Sequence, residues 1–112
     1  MSNKKDRPTI VCLCGSTRFG EVYERANLLE TLAGRIVLTV GCMTHSDDEL
    51  KITEEQKRTL DELHKRKIDL ADEIFVLNVG GYIGSSTRSE IEYAEKHGKK
   101  IRYYMKAHEN LA

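Results

Sequence analysis

The sequence has no excess charge of either sign, because 18 lysine and arginine side chains balance 18 aspartate and glutamate side chains. A balanced chain has no overall field with which to hold a nucleic-acid backbone, so an anionic ligand must be bound by a local site. We therefore expect a small-molecule partner and no nucleic acid. At 112 residues the chain has room for one domain, and residues 1–112 are expected to fold as that unit.

Long apolar runs are also missing. The longest lies near residues 9–14 and is far shorter than the roughly 20 residues that a membrane-spanning helix requires. The basic residues Lys4, Lys5 and Arg7 precede it, but the run is too short for a signal peptide and has no small-residue cleavage site. These absences predict a cytoplasmic protein with no membrane partner.

Cysteine is scarce, and the three cysteines cannot all pair with one another. Cys12 and Cys14 lie in a run typical of a buried strand, so we expect reduced thiols. A zinc site that combines them with Cys42 and His45 is disfavoured, because Cys-x-Cys on one strand lacks the geometry of structural zinc sites. No metal is therefore expected.

The segment from Cys12 to Arg18 matches Cys-x5-Arg, the phosphate loop of cysteine phosphatases. Three features count against this alternative. Cys12 falls inside the apolar run, Phe19 follows the arginine where those enzymes place serine or threonine, and no Asp-Pro acid is present. A buried cysteine that acts as a small hydrophobic residue explains the position more simply.

Strands alternate with helices along the chain. Runs of β-branched and apolar residues predict four strands, at residues 9–14, 35–40, 73–79 and 101–105. Apolar residues at helical spacing, with a capping box at Thr53 and Gln56, predict three helices, at residues 19–33, 53–72 and 87–97. The alternation implies right-handed parallel crossovers. We therefore predict an α/β fold, a three-layer Rossmann- or flavodoxin-like domain with a mostly parallel sheet of four to five strands.

Two glycine-rich turns, GSTRFG at residues 15–20 and GGYIGSST at residues 80–87, follow the first and third predicted strands. Ligands bind such sheets at the carboxyl ends of the strands, so the turns would share one cleft if these strands are neighbours at a switch point. Each turn runs into a helix, whose free N–H groups and positive dipole end favour an anion. The alternative is that both are ordinary turns and N-caps.

The side chains of the two turns suit a phosphate. The hydroxyl donors are Ser16, Thr17, Ser85, Ser86 and Thr87, and the guanidinium groups are Arg18 and Arg88. Tyr82 could stack on a base and Tyr23 could line the cleft, although core or rim positions explain both equally well. Neither GxxxxGK[ST] nor GxGxxG occurs, so the motifs for ATP and NAD are absent and no cofactor is expected.

Glu90 follows the second turn, on the first turn of the third predicted helix, where its carboxylate can point over a bound group. A carboxylate beside a phosphate-anchored sugar suits glycosyl chemistry, since it can stabilise or trap an oxocarbenium-like centre at C1′. The sequence therefore offers Glu90 as a candidate nucleophile. The alternative is that Glu90 only complements the helix dipole.

The stretch ADEIFVLNVGGYIGSSTRSEIEYAEKHGKKI, at residues 71–101, resembles the second half of the nucleoside 2-deoxyribosyltransferase superfamily. The shared positions are Ala71-Asp72, Asn78, Ser85-Ser86-Thr87 and Glu90-x-x-Tyr93-Ala94. The segment CGSTRFG is similar to the phosphate loop of the branch that hydrolyses nucleoside 5′-monophosphates. The resemblance covers most of the chain and implies a nucleotide or nucleoside ligand and a homodimer or higher homo-oligomer.

By this resemblance Glu90 is the nucleophile. The resemblance also implies that Gly15, Ser16, Arg18, Ser85 and Ser86 contact the nucleotide. To these predicted substrate-binding residues we add Thr17, Asn78, Tyr82, Gly84, Thr87 and Arg88, which lie in or beside the two turns. The family's usual aspartate, two helical turns before Ala-Asp, is replaced here by His64, which titrates near neutrality and could act as the acid. Asp61 and Asp69 are possible substitutes, although a solvated helix face explains both.

Two function classes remain open from the sequence. One is an N-glycosidase or 2-deoxyribosyltransferase, with water or a second base as the acceptor. The other is a non-catalytic nucleotide-sensing or ADP-ribose-type module that keeps the phosphate site and has lost the chemistry, for which the replacement by His64 is the best support. The acidic residues Asp47, Asp48 and Glu49 could bind a divalent ion, but adjacent acids in a polar loop are usually solvated.

Overall fold

The structure, a computed structural model, describes residues 6–41 and 51–105. Four strands are present in this part of the chain: β1 at Ile10–Cys14, β2 at Ile36–Leu38, β3 at Glu73–Val76 and β4 at Lys100–Tyr103. Three α-helices connect them: α1 at Gly20–Leu32, α2 at Glu54–Leu70 and α3 at Ser85–Lys96. Each predicted strand and helix is therefore confirmed, with changes at the ends.

The sheet has the order β2-β1-β3-β4, and each pair of neighbouring strands is parallel. α1 packs on one face, where Leu13 and Leu77 meet Tyr23 and Ala26. α2 and α3 cover the other face, around a core that includes Ile68. The predicted three-layer α/β fold is confirmed, with a four-stranded sheet that is parallel throughout. β2 pairs with one side of β1, and β3 pairs with the other side. The order of the strands therefore reverses between β1 and β3, which is the switch point of the sheet.

Two boundaries bear directly on the site. β3 ends at Val76, three residues before the predicted end, because the chain then turns through a short 3₁₀ helix at Val79–Gly81. Gly80 makes this turn possible by adopting a φ of 63°. α3 begins at Ser85, two residues before the predicted start. Glu90 therefore lies in the second turn of α3, where the sequence predicted the first.

In the first two helices, the residues that are buried differ from those that the apolar spacing predicts. The sequence pattern places Leu29 and Leu32 on the inner face of α1, but their side chains are 49% and 73% exposed. On α2, Leu63 and Leu70 belong to the apolar spacing from which the helix was predicted, and they are exposed as well, whereas His64 is buried. Polar residues such as His64 take inner positions, where they contact other polar side chains, and the apolar spacing alone does not reveal this.

α2 begins at a complete capping box, as predicted. The Thr53 hydroxyl accepts from the Gln56 backbone N–H at 3.0 Å, and the Gln56 side chain accepts from the Thr53 N–H at 2.9 Å. These bonds satisfy two amide groups that the helix start would leave unpaired. Among the described helices, α2 included, none is both long enough and apolar enough to cross a membrane.

A charged network ties α1 to the sheet. Arg102 on β4 donates to Glu30 of α1 at 2.6 Å and to Glu73 of β3 at 3.1 Å. Arg35 lies 3.3 Å from the Glu30 carboxylate, and the Arg102 guanidinium covers the Phe75 ring at 4.5 Å. Both carboxylates are buried, and each one has an arginine partner. Paired in this way, the charges join the edge strand β4 to the helix that packs on the α1 face.

Candidate functional site

The two glycine-rich turns meet at the carboxyl edge of the sheet, because β1 and β3 are neighbours there. They enclose a cavity of about 300 Å³. Its wall contains residues 15–18 of the first turn, Tyr82 and residues 84–87 of the second, and His64 and Glu90. The structure thus brings eleven of the thirteen predicted site residues to one cavity. The exceptions are Asn78 and Arg88.

The first turn is held in place by its contact with β3. Gly15 has a φ of 157°, and a Cβ there would lie 3.1 Å from the Leu77 carbonyl oxygen and 3.2 Å from its Cβ. The Tyr23 hydroxyl donates to the Gly15 carbonyl at 2.7 Å from the opposite face of the sheet. Tyr23 is buried below the turn instead of lining the cleft. The position of Ser16 and Arg18 at the cavity mouth therefore depends on packing on both sides of β1.

The second turn opens directly into the start of α3. Gly84 is the N-cap residue and has no side chain with which to cap the helix. The first bond of the helix is donated by the Arg88 N–H to the Gly84 carbonyl at 2.9 Å. The amides of Ser85, Ser86 and Thr87 precede that bond and stand at the positive end of the helix dipole. This end of α3 lines the cavity, and it is suited to bind a phosphate.

The first turn contributes side chains and no helix end. Among the described residues, none of α1 lines the cavity, although the sequence predicted two convergent helix ends. The N-cap of α1 is Phe19, whose ring lies 6.1 Å from the Tyr82 ring in an edge-to-face arrangement. The Arg18 guanidinium covers the same tyrosine at 4.7 Å from the ring centroid. Tyr82 therefore links the two turns, and one of its faces is covered by a cation.

Two lysines of α2 also line the cavity, and the sequence interpretation missed both. Lys57 donates to the Ser86 hydroxyl at 3.3 Å and pairs with Asp61 at 3.2 Å. Lys67 donates to the Thr39 carbonyl at 2.7 Å. Their spacing from His64, seven residues before and three after, was the available signal, because it places all three on one side of the helix. The cavity wall thus has cations opposite the hydroxyl-rich turn.

Glu90 lies deep in this cavity, with 9% of its surface exposed. Burial raises the pKa of its carboxyl group, and the nearby charge of His64 acts in the opposite direction. One carboxylate oxygen lies 3.9 Å from His64 Nε2. A carboxylate and an imidazole therefore share the cavity floor, and each is positioned by a different helix.

His64 is surrounded by two cysteines as well as by Glu90. Its Nε2 atom lies 3.6 Å from the Cys12 Sγ and 3.5 Å from the Cys14 Sγ. Burial lowers the pKa of His64, but the hydrogen bond and charge of Cys12 outweigh that effect and raise it. A hydrogen bond from Cys14 lowers the pKa of Cys12 to about 5, and the same bond raises that of Cys14. The two shifts favour the charged forms of Cys12 and His64, which lie side by side under the cavity.

The two cysteines are free thiols, as predicted, and both are buried. They project from β1 towards α2 and α3 because alternate residues of a strand share one face. With His64 they form a group whose ligand atoms all lie within 4.8 Å of one another, and such a group can hold a metal ion. The sequence interpretation considered Cys42 and His45 as their partners, and those residues lie outside the described part of the chain.

The two predicted site residues outside the cavity wall are Asn78 and Arg88. The Asn78 amide donates to the Met105 carbonyl at 2.7 Å and accepts from the Met105 N–H at 2.8 Å, so it fixes the chain beyond β4. Arg88 is exposed on α3, because the earlier helix start turns its side chain away. Asp69 is also outside, since it accepts from the Tyr93 hydroxyl at 2.6 Å, whereas Asp61 lines the cavity.

The phosphatase alternative lacks the geometry it needs. Cys12 lies within β1, has no exposed surface and faces His64 instead of the turn that contains Arg18. A nucleophilic thiolate has to reach phosphorus at the centre of its anion-binding loop. The acidic residues Asp47, Asp48 and Glu49 lie outside the described part of the chain.

Neither a protein-family model nor a curated protein matches this sequence. The resemblance to the deoxyribosyltransferase superfamily is therefore carried by the quoted motifs alone. The chemistry of the cavity has to be inferred from its own residues and distances.

Proposed function

We propose that the domain binds a nucleotide, or a related nucleoside, and cleaves its N-glycosidic bond with Glu90 as the nucleophile. The observation that carries this proposal is the position of Glu90 in the same cavity as the two glycine-rich turns. A phosphate at the start of α3 and a carboxylate one and a half helical turns further on are separated by about the length of a sugar. The family resemblance supports the same assignment of roles.

The phosphate is expected to bind the first-turn amides of α3 and the hydroxyls of Ser85 and Ser86. Lys57, which already donates to Ser86, adds a positive charge beside this position. Arg18 can reach the same anion from the first turn, because its guanidinium lies over Tyr82 at the cavity wall. These groups hold one end of the substrate and leave the sugar to face Glu90.

In the proposed reaction a Glu90 oxygen forms a bond to C1′ as the bond from C1′ to the base nitrogen breaks. The electron pair of the breaking bond stays on the base, which takes a proton from His64 or Asp61. Water then attacks C1′ of the glycosyl ester, releases Glu90 and gives its proton to the conjugate base of that acid. If a second base attacks in place of water, the same steps give the transferase reaction.

Two observations favour the non-catalytic alternative. His64 contacts Cys12 and Cys14 as closely as it approaches Glu90, so its proton is shared with groups outside the reaction. The buried Glu90 also has a raised pKa, which favours the uncharged form that cannot attack. A module with these features would bind a nucleotide through the same turns and release no base.

The test is incubation of the purified protein with a panel of nucleoside and deoxynucleoside monophosphates, with free base measured by chromatography. We expect base release that falls at least about 1,000-fold in Glu90→Gln, because the amide cannot form the glycosyl ester. Glu92→Gln, which changes an exposed glutamate on the same helix, is the matched control and should leave the rate unchanged.

Three results discriminate between the candidates. Release that survives Glu90→Gln would remove Glu90 from the mechanism. Binding of a monophosphate without release from any substrate would favour the sensing module. Weaker binding of the nucleoside than of its monophosphate would support the phosphate position at α3. The resemblance also implies a homodimer, which gel filtration with light scattering would measure.

A further inference from the structure

The group formed by Cys12, Cys14 and His64 has a geometry that the proposed reaction does not need. Cys12 and Cys14 have no exposed surface, and the His64 side chain is 6% exposed. The two sulfur atoms approach the same nitrogen atom, at 3.6 and 3.5 Å. Three soft or borderline ligand atoms therefore converge on one point below the cavity floor.

Hydrogen bonding accounts for only part of this convergence. An imidazole Nε2 atom has either one proton or one lone pair, so it can form one two-centre hydrogen bond. Two sulfur contacts of equal length exceed that capacity. The other ring nitrogen, Nδ1, is buried and has no hydrogen-bond partner among the described residues. As an arrangement of thiols and imidazole alone, the cluster is incompletely satisfied.

The two sulfur-to-nitrogen distances agree with those around a tetrahedral metal ion. Bonds of about 2.3 Å to sulfur and about 2.0 Å to nitrogen place two such ligands roughly 3.5 Å apart at the tetrahedral angle. Both sulfur-to-nitrogen distances have this value within 0.1 Å. A divalent ion would also balance two thiolates, which are otherwise costly to bury together.

We propose that Cys12, Cys14 and His64 Nε2 bind a zinc ion, with the fourth position open to the cavity. Glu90, whose carboxylate lies 3.9 Å from Nε2, lines the same cavity. Thiolate and imidazole ligands favour zinc over magnesium or calcium. The site differs from the one rejected at the sequence level, because its third ligand comes from α2 and not from the segment after β2.

The unpartnered Nδ1 atom of His64 limits the affinity of the site for zinc. Zinc-bound histidines usually donate their second ring N–H to a carboxylate or carbonyl group, and loss of that bond costs about 10- to 100-fold in affinity. His64 has no such acceptor among the described residues. We therefore expect zinc to bind more weakly than in a closed structural site, and to be removed by a chelator without unfolding the domain.

Zinc binding and the proposed glycosidase chemistry exclude each other. An ion on Nε2 takes the position of the proton that His64 would donate, and it attracts the carboxylate that would attack C1′. Occupancy by zinc should therefore inhibit base release. This last step rests on the proposed function, whereas binding of the ion does not.

The test is a titration of the full, untagged chain, freed of metal by a chelator and kept reduced, with cobalt(II) and then with zinc(II). We expect one equivalent of cobalt to produce a sulfur-to-cobalt charge-transfer band and the intense visible bands of tetrahedral coordination. Zinc should then displace the cobalt and remove both kinds of band.

The variants separate this site from other sources of metal binding. Cys14→Ser and His64→Gln should each weaken cobalt binding at least about 100-fold, while Cys42→Ser, the matched control, should leave it unchanged. Circular dichroism shows whether each variant is folded. One folded variant of the two is sufficient for the test. A wild-type spectrum without charge transfer would overturn the proposal, as would full binding by folded His64→Gln or loss of binding in Cys42→Ser.

The activity measurement distinguishes the two proposals. Zinc that binds and reduces base release in proportion to its occupancy supports both. Zinc that binds to a protein without base release leaves the metal site standing and removes the glycosidase. Base release from a protein that binds neither ion removes the metal site alone. Binding of zinc with no effect on base release would show that the ion and the chemistry do not share His64.

Discussion

Two groups of buried polar side chains lie on opposite faces of the same sheet, and they differ in how well they are satisfied. On the α1 face, Arg102 binds Glu30 and Glu73 at 2.6 and 3.1 Å. On the other face, the shortest contacts of His64 are 3.5 and 3.6 Å, and its Nδ1 has no partner in the described residues. The first group is complete within the fold. The second has unused capacity and opens into a cavity, as a binding site does.

The comparison predicts that substitution on the two faces affects stability to different extents, with the larger loss on the α1 face. Arg102→Ala should reduce the free energy of unfolding by about 3 kcal/mol, because it leaves two buried carboxylates with only the more distant Arg35 and the exposed Lys100 nearby. This value is at the low end for a broken buried pair, since the Arg102 side chain is 28% exposed. Urea unfolding measures it, with exposed Arg88→Ala as the control, and a loss below 1 kcal/mol would contradict the assignment.

The cavity side depends on close backbone packing where the two turns meet. Gly15→Ala should cost about 2 kcal/mol, because the added methyl group meets the Leu77 backbone and Cβ at 3.1 to 3.2 Å. Gly41→Ala is the matched control, since a Cβ at Gly41 has no neighbour within 4 Å. Thermal unfolding of both variants checks the difference. Equal melting temperatures would show that the turn can shift freely.

A smaller effect is expected at the hydrogen bond that joins the two faces. Tyr23→Phe removes the bond to the Gly15 carbonyl at 2.7 Å and should reduce stability by about 1 kcal/mol. Tyr103→Phe, at an exposed position on β4, should change it by less than half of that. If the first turn also moves, monophosphate binding should weaken in Tyr23→Phe alone. An unchanged affinity would limit the role of Tyr23 to stability.

The smallest effect on stability should come from the group that lies nearest to the proposed chemistry. In metal-free protein, His64→Leu is expected to change the free energy of unfolding by no more than about 0.5 kcal/mol in either direction. It removes an unpartnered buried nitrogen, and Cys12 can return to a neutral thiol, which is well tolerated in a core. Urea unfolding in the presence of a chelator measures this. A loss above 2 kcal/mol would make His64 a structural residue like Arg102.

Much of the site followed from local pattern. The turns at residues 15–18 and 84–87 were predicted from glycine and hydroxyl residues after buried strands, and a parallel sheet brings such positions to one edge. Glu90 was found for the same reason, since it follows the second turn on a helix. Asn78 and Arg88 were predicted as site residues too, but they lie outside the cavity wall. Asn78 bonds to Met105, and Arg88 is exposed on a helix that starts two residues before its predicted start.

The sequence by itself determined the alternation of strands and helices, the thiols on one strand and the turns that end two strands. Those features depend on residue type and on spacing within a short segment. Only the tertiary structure decided that His64 faces Cys12 and Cys14, and that Glu30 faces Arg102, 72 residues further along the chain. Such pairs satisfy polar groups inside the core. Their partners are set by which helix covers which face of the sheet, and no local pattern contains that information.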